Sequence, residues 1–139
     1  MIAIIVGTHG KLATELIRSG EMIVGNQENI AAITFESGEN TDDLLAKYNE
    51  KLKNLNTTDG VLFMVDLFGG SPYNAAAMIA AKNFNMDIVT GVNIPMLLET
   101  LGARNSLKIV DLVITAKKAG QEGIKSLKET LSKYVEEDL

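Results

Sequence analysis

The sequence predicts an α/β fold with a mainly parallel sheet, and two observations support this. Short apolar runs alternate with segments of helical periodicity along the whole chain, which is typical of strand–helix–strand units. The runs Ile2–Val6 and Val61–Val65 are apolar at every position, as expected for parallel strands that helices cover on both faces. With 139 residues, of which 46% are apolar, we expect one domain spanning residues 1–139.

In the first half of the chain, apolar spacing and capping residues predict two strands and two helices. Ile2–Val6 predicts the first strand, and Lys11–Val24 predicts a helix because its apolar residues recur at helical spacing. Ile30–Phe35 predicts the second strand. Asn40 or Thr41 can cap the helix that follows, whose apolar residues again share one face.

Beyond Gly60 the same alternation predicts, in order, a strand, a helix, a strand and two helices: Val61–Val65, Tyr73–Phe84, Met86–Val92, Pro95–Leu101 and Leu107–Ala119. We expect Gly120 and Gly123 to break the last of these helices. The segment Ile124–Leu127 fits either a short edge strand or the start of another helix.

Composition excludes several classes of site. The chain has no cysteine and one histidine, so we expect no metal and no cofactor. Thirteen basic and eighteen acidic residues give a net charge of −5 without a basic cluster, which argues against a nucleic-acid partner. No apolar stretch approaches the ~20 residues that span a bilayer, and no signal peptide is recognisable, so we expect a cytoplasmic protein.

The only histidine, His9, follows the first predicted strand, and Asp66 follows the third. In doubly wound sheets of the flavodoxin type, with strand order 2-1-3-4, these two strands are neighbours and their loops leave a crevice. We therefore expect His9 and Asp66 to face each other there. A carboxylate that accepts an N–H bond from one ring nitrogen fixes the tautomer and leaves the other nitrogen free to attack.

The segment Gly69–Pro72 supplies the other parts of a phosphoryl-handling site. Ser71 is a good N-cap and Pro72 suits the first helical position, so a helix should begin here. The glycines allow backbone N–H groups to approach an oxyanion, and the helix N-terminus adds partial positive charge. We therefore expect Gly70 and Ser71 to bind a phosphoryl group that His9 carries as a phosphohistidine.

Each of these residues also has a plainer interpretation. A lone histidine in a loop is commonly a bystander, Asp66 can be a turn former, and Gly69–Pro72 can be a tight strand-to-helix connection. Other anion sites fit less well. Gly69–Ser71 lacks the lysine context of a Walker A loop, and Gly7–Leu12 lacks the third glycine of a dinucleotide fingerprint. A flavin site is compatible with the fold alone.

Three blocks, in order along the chain, resemble the IIA domain of the mannose-family (mannose/fructose/sorbose) permeases of the bacterial phosphoenolpyruvate-dependent sugar phosphotransferase system. The blocks are Ile4–Gly10, Val61–Ala75 and Gly91–Glu99. The resemblance covers nearly the whole chain. It implies a flavodoxin-like fold, phosphorylation of His9 and an orienting role for Asp66.

The resemblance also implies a route for the phosphoryl group. His9 would accept it from the phosphocarrier protein HPr and pass it to a IIB protein or domain. The IIB would then phosphorylate sugar entering through membrane IIC and IID subunits, so this protein would be peripheral to the membrane through that complex. Family members form homodimers that exchange a C-terminal strand, for which Gly123–Leu127 is the candidate. We expect either a free-standing IIA or an excised domain of a longer IIAB chain.

Three alternatives stay open from the sequence. The phosphotransfer subunit of a phosphotransferase-dependent dihydroxyacetone kinase shares this chemistry, although the block Asp66–Pro72 favours the permease family. A non-catalytic flavin or nucleotide module is the second alternative, and a domain whose phosphohistidine only signals is the third. The transported sugar is not encoded in this domain, because specificity resides mainly in the membrane subunits.

Overall fold

Parallel strand pairing organises the chain. The computed structural model describes residues 1–137, and within them four strands form one sheet of order β2-β1-β3-β4 with every neighbouring pair parallel. The strands are β1 (Ala3–His9), β2 (Ile30–Phe35), β3 (Val61–Val65) and β4 (Met86–Thr90). The predicted fold class and strand order are confirmed.

Six helices occur within the described residues: α1 (Leu12–Val24), α2 (Thr41–Asn54), α3 (Ser71–Ala80), α4 (Ile94–Ala103), α5 (Ile109–Glu122) and α6 (Leu127–Glu137). Helices α1, α4 and α5 pack on one face of the sheet, and α2 and α3 on the other. Both central strands are therefore covered on both sides, which explains their uninterrupted apolar sequences. None of the described helices is long and apolar enough to cross a membrane.

The predicted limits are correct for β2 and β3 and shift at other elements. β1 continues to His9, so the histidine ends the strand instead of lying in a loop beyond Val6. α3 begins at Ser71 and ends at Ala80, earlier than the predicted Tyr73–Phe84. β4 ends at Thr90. Such shifts arise because strand ends and helix ends depend on pairing and capping partners more than on apolar spacing.

The prediction that Gly120 breaks a helix is wrong. α5 continues to Glu122, and Gly120 is buried inside it. A Cβ at Gly120 would lie 2.8 Å from Met96 Cε on α4, so the glycine permits close packing of the two helices. That packing outweighs the low intrinsic helix propensity of glycine.

The candidate edge strand near the end of the chain is not a strand in this structure. Residues 124–126 have no regular structure and Leu127 begins α6, so the helical alternative is the correct one. Every side chain described from 121 to 135 is exposed. Exchange of a strand between subunits stays a prediction.

One buried arginine closes the amino edge of the sheet. Arg104, directly after α4, is 1% exposed. Its guanidinium donates to the carbonyl oxygens of Ile2, Glu28 and Asn29 and to the side chain of Gln27. It thereby ties the segments that enter β1 and β2. Burial lowers the pKa of the Arg104 guanidinium, yet an arginine remains charged in proteins.

Candidate functional site

His9 and Asp66 meet at the carboxyl edge of the sheet. β1 and β3 pair with Gly7 opposite Val65, so the residues that follow emerge side by side. The distance from His9 Nδ1 to Asp66 Oδ2 is 2.9 Å. The structure therefore brings together the two side chains that the strand order was expected to juxtapose.

One carboxylate oxygen of Asp66 holds His9 at two points. Oδ2 accepts a 3.0 Å hydrogen bond from the His9 backbone N–H in addition to the bond from the ring. Because a carboxylate only accepts hydrogen bonds, the ring proton is assigned to Nδ1. Nε2 then keeps its lone pair. The backbone contact was not foreseen, since it depends on how closely the two strand ends approach.

The two partners differ in exposure. The Asp66 side chain is 18% exposed, and its Oδ1 is buried without a hydrogen-bond partner among the described residues. The His9 side chain is 46% exposed. The acid is therefore held inside the protein while the ring remains open to solvent, where a second macromolecule can reach it.

Phe35 and Gly70 confine the histidine ring. Phe35 pairs with His9 in the β1–β2 register, and the two rings pack edge-to-face with centroids 5.7 Å apart. A Cβ at Gly70 would lie 2.8 Å from His9 Cε1 and 3.5 Å from Nε2. Any side chain at Gly70 would therefore press on the ring. Sequence reasoning missed Phe35, although its place at the end of a strand next to β1 was an available signal.

The segment Gly69–Pro72 leads into helix α3 as predicted, but the residue that caps this helix differs from the prediction. Gly69 has a φ of 81°, which favours glycine. Gly70 is the N-cap and Ser71 already belongs to α3, so the prediction that Ser71 caps the helix is wrong. The reason is that the Gly70 carbonyl already accepts the helical bond from the Asn74 N–H. The Ser71 hydroxyl is thus not used for capping.

The N-terminus of α3 lies next to the histidine. The first N–H groups of a helix have no acceptor within it and carry partial positive charge. Gly70 precedes these groups and also touches the His9 ring. The structure therefore places Gly70, and with it the helix start at Ser71, close to the ring nitrogen that Asp66 leaves free.

The residue before the histidine anchors a second helix. Thr8 is fully buried, and its Oγ1 accepts a 2.7 Å hydrogen bond from the Ala13 N–H in the first turn of α1. The N-cap of that helix, Lys11, makes no side-chain capping bond. Thr8 therefore links β1 to α1 beside the site. Sequence reasoning treated Thr8 only as part of a loop.

An open cleft of about 520 Å³ adjoins the ring, and its charged and aromatic lining consists of His9, Lys11, Phe35, Glu36 and Glu39. A hydrogen bond from Lys47 lowers the pKa of the Glu39 carboxyl. The rim therefore carries charges of both signs, with Lys11 beside Glu36 and with Glu39 paired to Lys47. In the described part of the chain, no group of three or more histidine or acidic side chains is placed to hold a metal ion.

Comparison with known proteins shows the family. Residues 3–117 match the family model described as "PTS system fructose IIA component", in which PTS denotes the phosphotransferase system. The chain is 41% identical over 133 residues to the fructose-specific EIIA component of Bacillus subtilis strain 168, which covers 96% of this chain and 91% of that protein. It is 34% identical over 112 residues to the sorbose-specific EIIA component of Klebsiella pneumoniae, and this match covers 81% of this chain and 82% of that protein.

One similar protein is much longer than this chain. The mannose-specific EIIAB component of Escherichia coli strain K12 is 50% identical over 128 residues, and the match covers 91% of this chain. The chain spans only 40% of the length of that relative.

Solved structures agree in fold. The phosphotransferase system component EIIA from Streptococcus agalactiae has a TM-score of 0.85 at 26% identity, covering 93% of this chain and 99% of that one. The mannose/sorbose-specific IIA subunit from Enterococcus faecalis has a TM-score of 0.81 at 26% identity, covering 91% and 94%. Together with the family match, these similarities show that the chain belongs to the mannose-family IIA components, the phosphotransfer subunits of sugar phosphotransferase systems.

Proposed function

We propose that this protein is a phosphocarrier in which His9 accepts a phosphoryl group from phospho-HPr and transfers it to a IIB protein or domain. The observation that supports this most directly is the 2.9 Å contact between His9 Nδ1 and the largely buried carboxylate of Asp66. This contact leaves Nε2 as the nucleophile on a ring that is 46% exposed. The attacking atom is thus His9 Nε2, and the group that orients the ring is the Asp66 carboxylate.

The transfer step follows from this geometry. The Nε2 lone pair attacks phosphorus in line and forms an N–P bond, while the bond from phosphorus to its carrier atom on HPr breaks. The electron pair of the broken bond stays on that carrier atom. Nδ1 keeps its proton throughout, and Asp66 stabilises the positive charge that develops on the imidazole. Transfer to IIB is the same step in reverse, with a different acceptor.

Gly70 and Ser71 are proposed to bind the phosphoryl oxygens. The transition state of phosphoryl transfer is loose, so positioning and charge stabilisation provide most of the catalysis. The N-terminal N–H groups of α3 and the Ser71 hydroxyl can donate to an oxyanion at the start of this helix. The negative charge of Asp66 opposes tight retention of the phosphoryl group, which keeps it transferable.

The surface around His9 suits protein partners. Leu67 and Phe68, directly after Asp66, are 56% and 73% exposed, and the neighbouring cleft carries Glu36 and Glu39. Exposed apolar side chains beside a charged rim are typical of protein interfaces. We therefore propose HPr and IIB as direct partners, and IIC and IID only through IIB, which places the protein in the cytoplasm beside the membrane.

We propose a homodimer as the working form. The apolar residues Leu127, Leu131 and Tyr134 recur at helical spacing on α6, and all of them are exposed. A second copy of the chain would cover this face. Analytical ultracentrifugation should therefore give the mass of two chains, and the mass of one chain at micromolar concentration would contradict the dimer.

The test of the proposed function is phosphorylation in a reconstituted system. The protein is incubated with phosphoenolpyruvate, enzyme I and HPr, and its mass is measured before and after treatment with acid. We expect the mass of one phosphoryl group, lost in acid, on the peptide that contains His9, and its removal when a IIB protein is added. His9→Ala should abolish the addition, since the chain has no other histidine.

Two controls make the result decisive. Omitting HPr should leave the wild-type protein unmodified, and Ser126→Ala should not change the modification, because Ser126 lies outside the site and bonds only within its own segment. An acid-stable addition, or an addition that persists in His9→Ala, would contradict the proposal. Phosphorylation that no IIB can remove would favour the signalling alternative.

A further inference from the structure

Tyr48 lies beneath the site and takes no part in the chemistry proposed above. Its side chain is fully buried in the core between the sheet and helices α2 and α3. The ring packs edge-to-face against Phe63 with centroids 5.5 Å apart. The hydroxyl donates a 2.9 Å hydrogen bond to the carbonyl oxygen of Pro72 in the first turn of α3. A buried tyrosine of α2 therefore holds the beginning of α3.

The Tyr48 hydroxyl fits in the core because residue 7 is a glycine. A Cβ at Gly7 would lie 2.0 Å from the Tyr48 hydroxyl oxygen and 3.0 Å from Cζ. Real carbon and oxygen atoms do not approach this closely, so the hydroxyl occupies the space that a side chain at Gly7 would take. A glycine within a fully buried strand is otherwise unfavourable. The position of the Tyr48 hydroxyl therefore requires glycine at residue 7. His9 lies two residues beyond Gly7.

A short series of contacts connects this arrangement to the reactive ring. Tyr48 holds Pro72, and Pro72 lies two residues after Gly70. Gly70 in turn is so near the His9 ring that a Cβ on it would lie 2.8 Å from Cε1. We propose that Tyr48 is a positioning residue for phosphoryl transfer, whose hydroxyl fixes the N-terminus of α3 against the His9 ring. The inference rests on the proposed function, because it concerns the groups that would bind the phosphoryl oxygens.

The hydroxyl remains a donor under all physiological conditions. Burial raises the pKa of the Tyr48 phenol well above its ordinary value, and the negative charge of Asp66 raises it further. The phenol therefore keeps the proton that it donates to Pro72. Since Tyr48 has no exposed surface, it does not contact HPr or IIB directly, and any influence on transfer passes through the residues that it holds or packs against.

Tyr48→Phe is the primary test, because it removes the hydroxyl and keeps the ring on Phe63. We expect the rate of His9 phosphorylation at saturating phospho-HPr to fall about 10-fold, as small displacements of positioned groups reduce rates strongly. The KM for phospho-HPr should stay unchanged, since the docking surface is intact. Rapid-quench kinetics at a temperature where circular dichroism shows both proteins fully folded would measure both constants.

A matched control separates positioning from general stability. Leu44→Val removes one methylene from the same helix and the same core but leaves the hydroxyl bond in place. It should lower the melting temperature at least as much as Tyr48→Phe while leaving the saturating rate within about 2-fold of wild type. Equal rate losses in the two variants would overturn the inference, because general destabilisation would then explain both.

Gly7→Ala provides a second variant if Tyr48→Phe does not fold. The added methyl group displaces the hydroxyl from Pro72, so the same signature is expected: a lower saturating rate at unchanged KM. In the Tyr48→Phe background, Gly7→Ala should cause a smaller additional loss, because the closest clash has been removed. Fully additive losses would overturn the pairing of the two residues.

The outcomes for the two proposals are distinguishable. If the wild-type protein is not phosphorylated on His9, the proposed function fails whatever Tyr48→Phe does. If the wild-type protein is phosphorylated and folded Tyr48→Phe reacts at the same saturating rate, the positioning role fails and the proposed function stands.

Discussion

The two edges of this sheet are built in opposite ways. At the amino edge, Arg104 is 1% exposed and donates to acceptors from four residues, with only Nε left without a partner among the described residues. At the carboxyl edge, Asp66 holds a single residue and leaves Oδ1 unpaired, while His9 is 46% exposed. At the amino edge one buried side chain ties four residues of the protein together, which stabilises the fold. At the carboxyl edge a largely buried acid holds one residue whose ring stays exposed, which suits the proposed transfer to and from other proteins.

The largest effect that would sharpen this contrast is expected from Asp66→Asn. The amide can still accept from the His9 backbone, so the fold should persist, but it neither fixes the ring tautomer nor offsets the charge on the phosphorylated ring. We expect the phosphorylation rate to fall roughly 10²- to 10⁴-fold, by analogy with loss of tautomer control in the serine protease triad. The measurement is the single-turnover rate with phospho-HPr.

Asp59→Asn is the matched control for that substitution. Asp59 is an aspartate at the amino edge whose partner is the amino group of Met1. Its replacement should leave the phosphorylation rate within about 2-fold of wild type, since exposed ion pairs contribute little. If Asp66→Asn also left the rate unchanged, Asp66 would be only a turn residue. The assignment of phosphoryl transfer to the carboxyl edge would then lose its support from Asp66.

Arg104→Leu should show the second-largest effect, on stability instead of rate. It removes the arginine donor from the carbonyl oxygens of Ile2 and Glu28, and one of two donors from that of Asn29, which also accepts from the Ile4 N–H. Each buried group left unsatisfied costs about 1–3 kcal/mol. We expect the free energy of unfolding to fall by about 3–5 kcal/mol, measured by urea titration.

The control for this change is Arg18→Leu. Arg18 is 71% exposed and pairs with Glu15 on the surface of α1, so its loss should change stability by less than about 0.5 kcal/mol. Folded Arg104→Leu protein should still be phosphorylated at the normal rate. A large rate loss in that folded variant would show that the two edges are coupled, contrary to the division drawn above.

The smallest of the three effects is expected from Gly70→Ala. Gly70 has φ −78° and ψ 170°, which alanine adopts without strain, so the substitution mainly tests the contact with the His9 ring. We expect a small loss of stability, because alanine is a weaker N-cap than glycine, and a rate lowered about 10-fold, because the methyl group displaces the ring from its position. Gly102→Ala, where a Cβ meets nothing within 4 Å, is the matched control. Equal rates in both variants would show that the ring tolerates a shift.

Sequence reasoning succeeded where the information is local or topological. Alternating apolar and helical segments predicted the α/β class, the strand order was that of flavodoxin-type doubly wound sheets, and the juxtaposition of His9 with Asp66 followed from that order. It failed where the deciding partner is distant in sequence. Gly120 was expected to end a helix, but it is retained inside α5 by close contact with Met96. One local assignment also failed, since Ser71 was expected to be the cap that its neighbour Gly70 provides.

What the amino-acid sequence determined by itself is the α/β class and the places of His9 and Asp66 at the ends of two strands, because periodicity and strand ends are properties of neighbouring residues. Only the tertiary structure decided which groups surround that pair. The exclusion of a side chain at Gly7 by the Tyr48 hydroxyl, and the closure of the amino edge by Arg104, join residues separated by 41 positions or more along the chain. Such contacts depend on differences of a few tenths of an ångström in the distances between packed atoms, and residue patterns do not encode these differences.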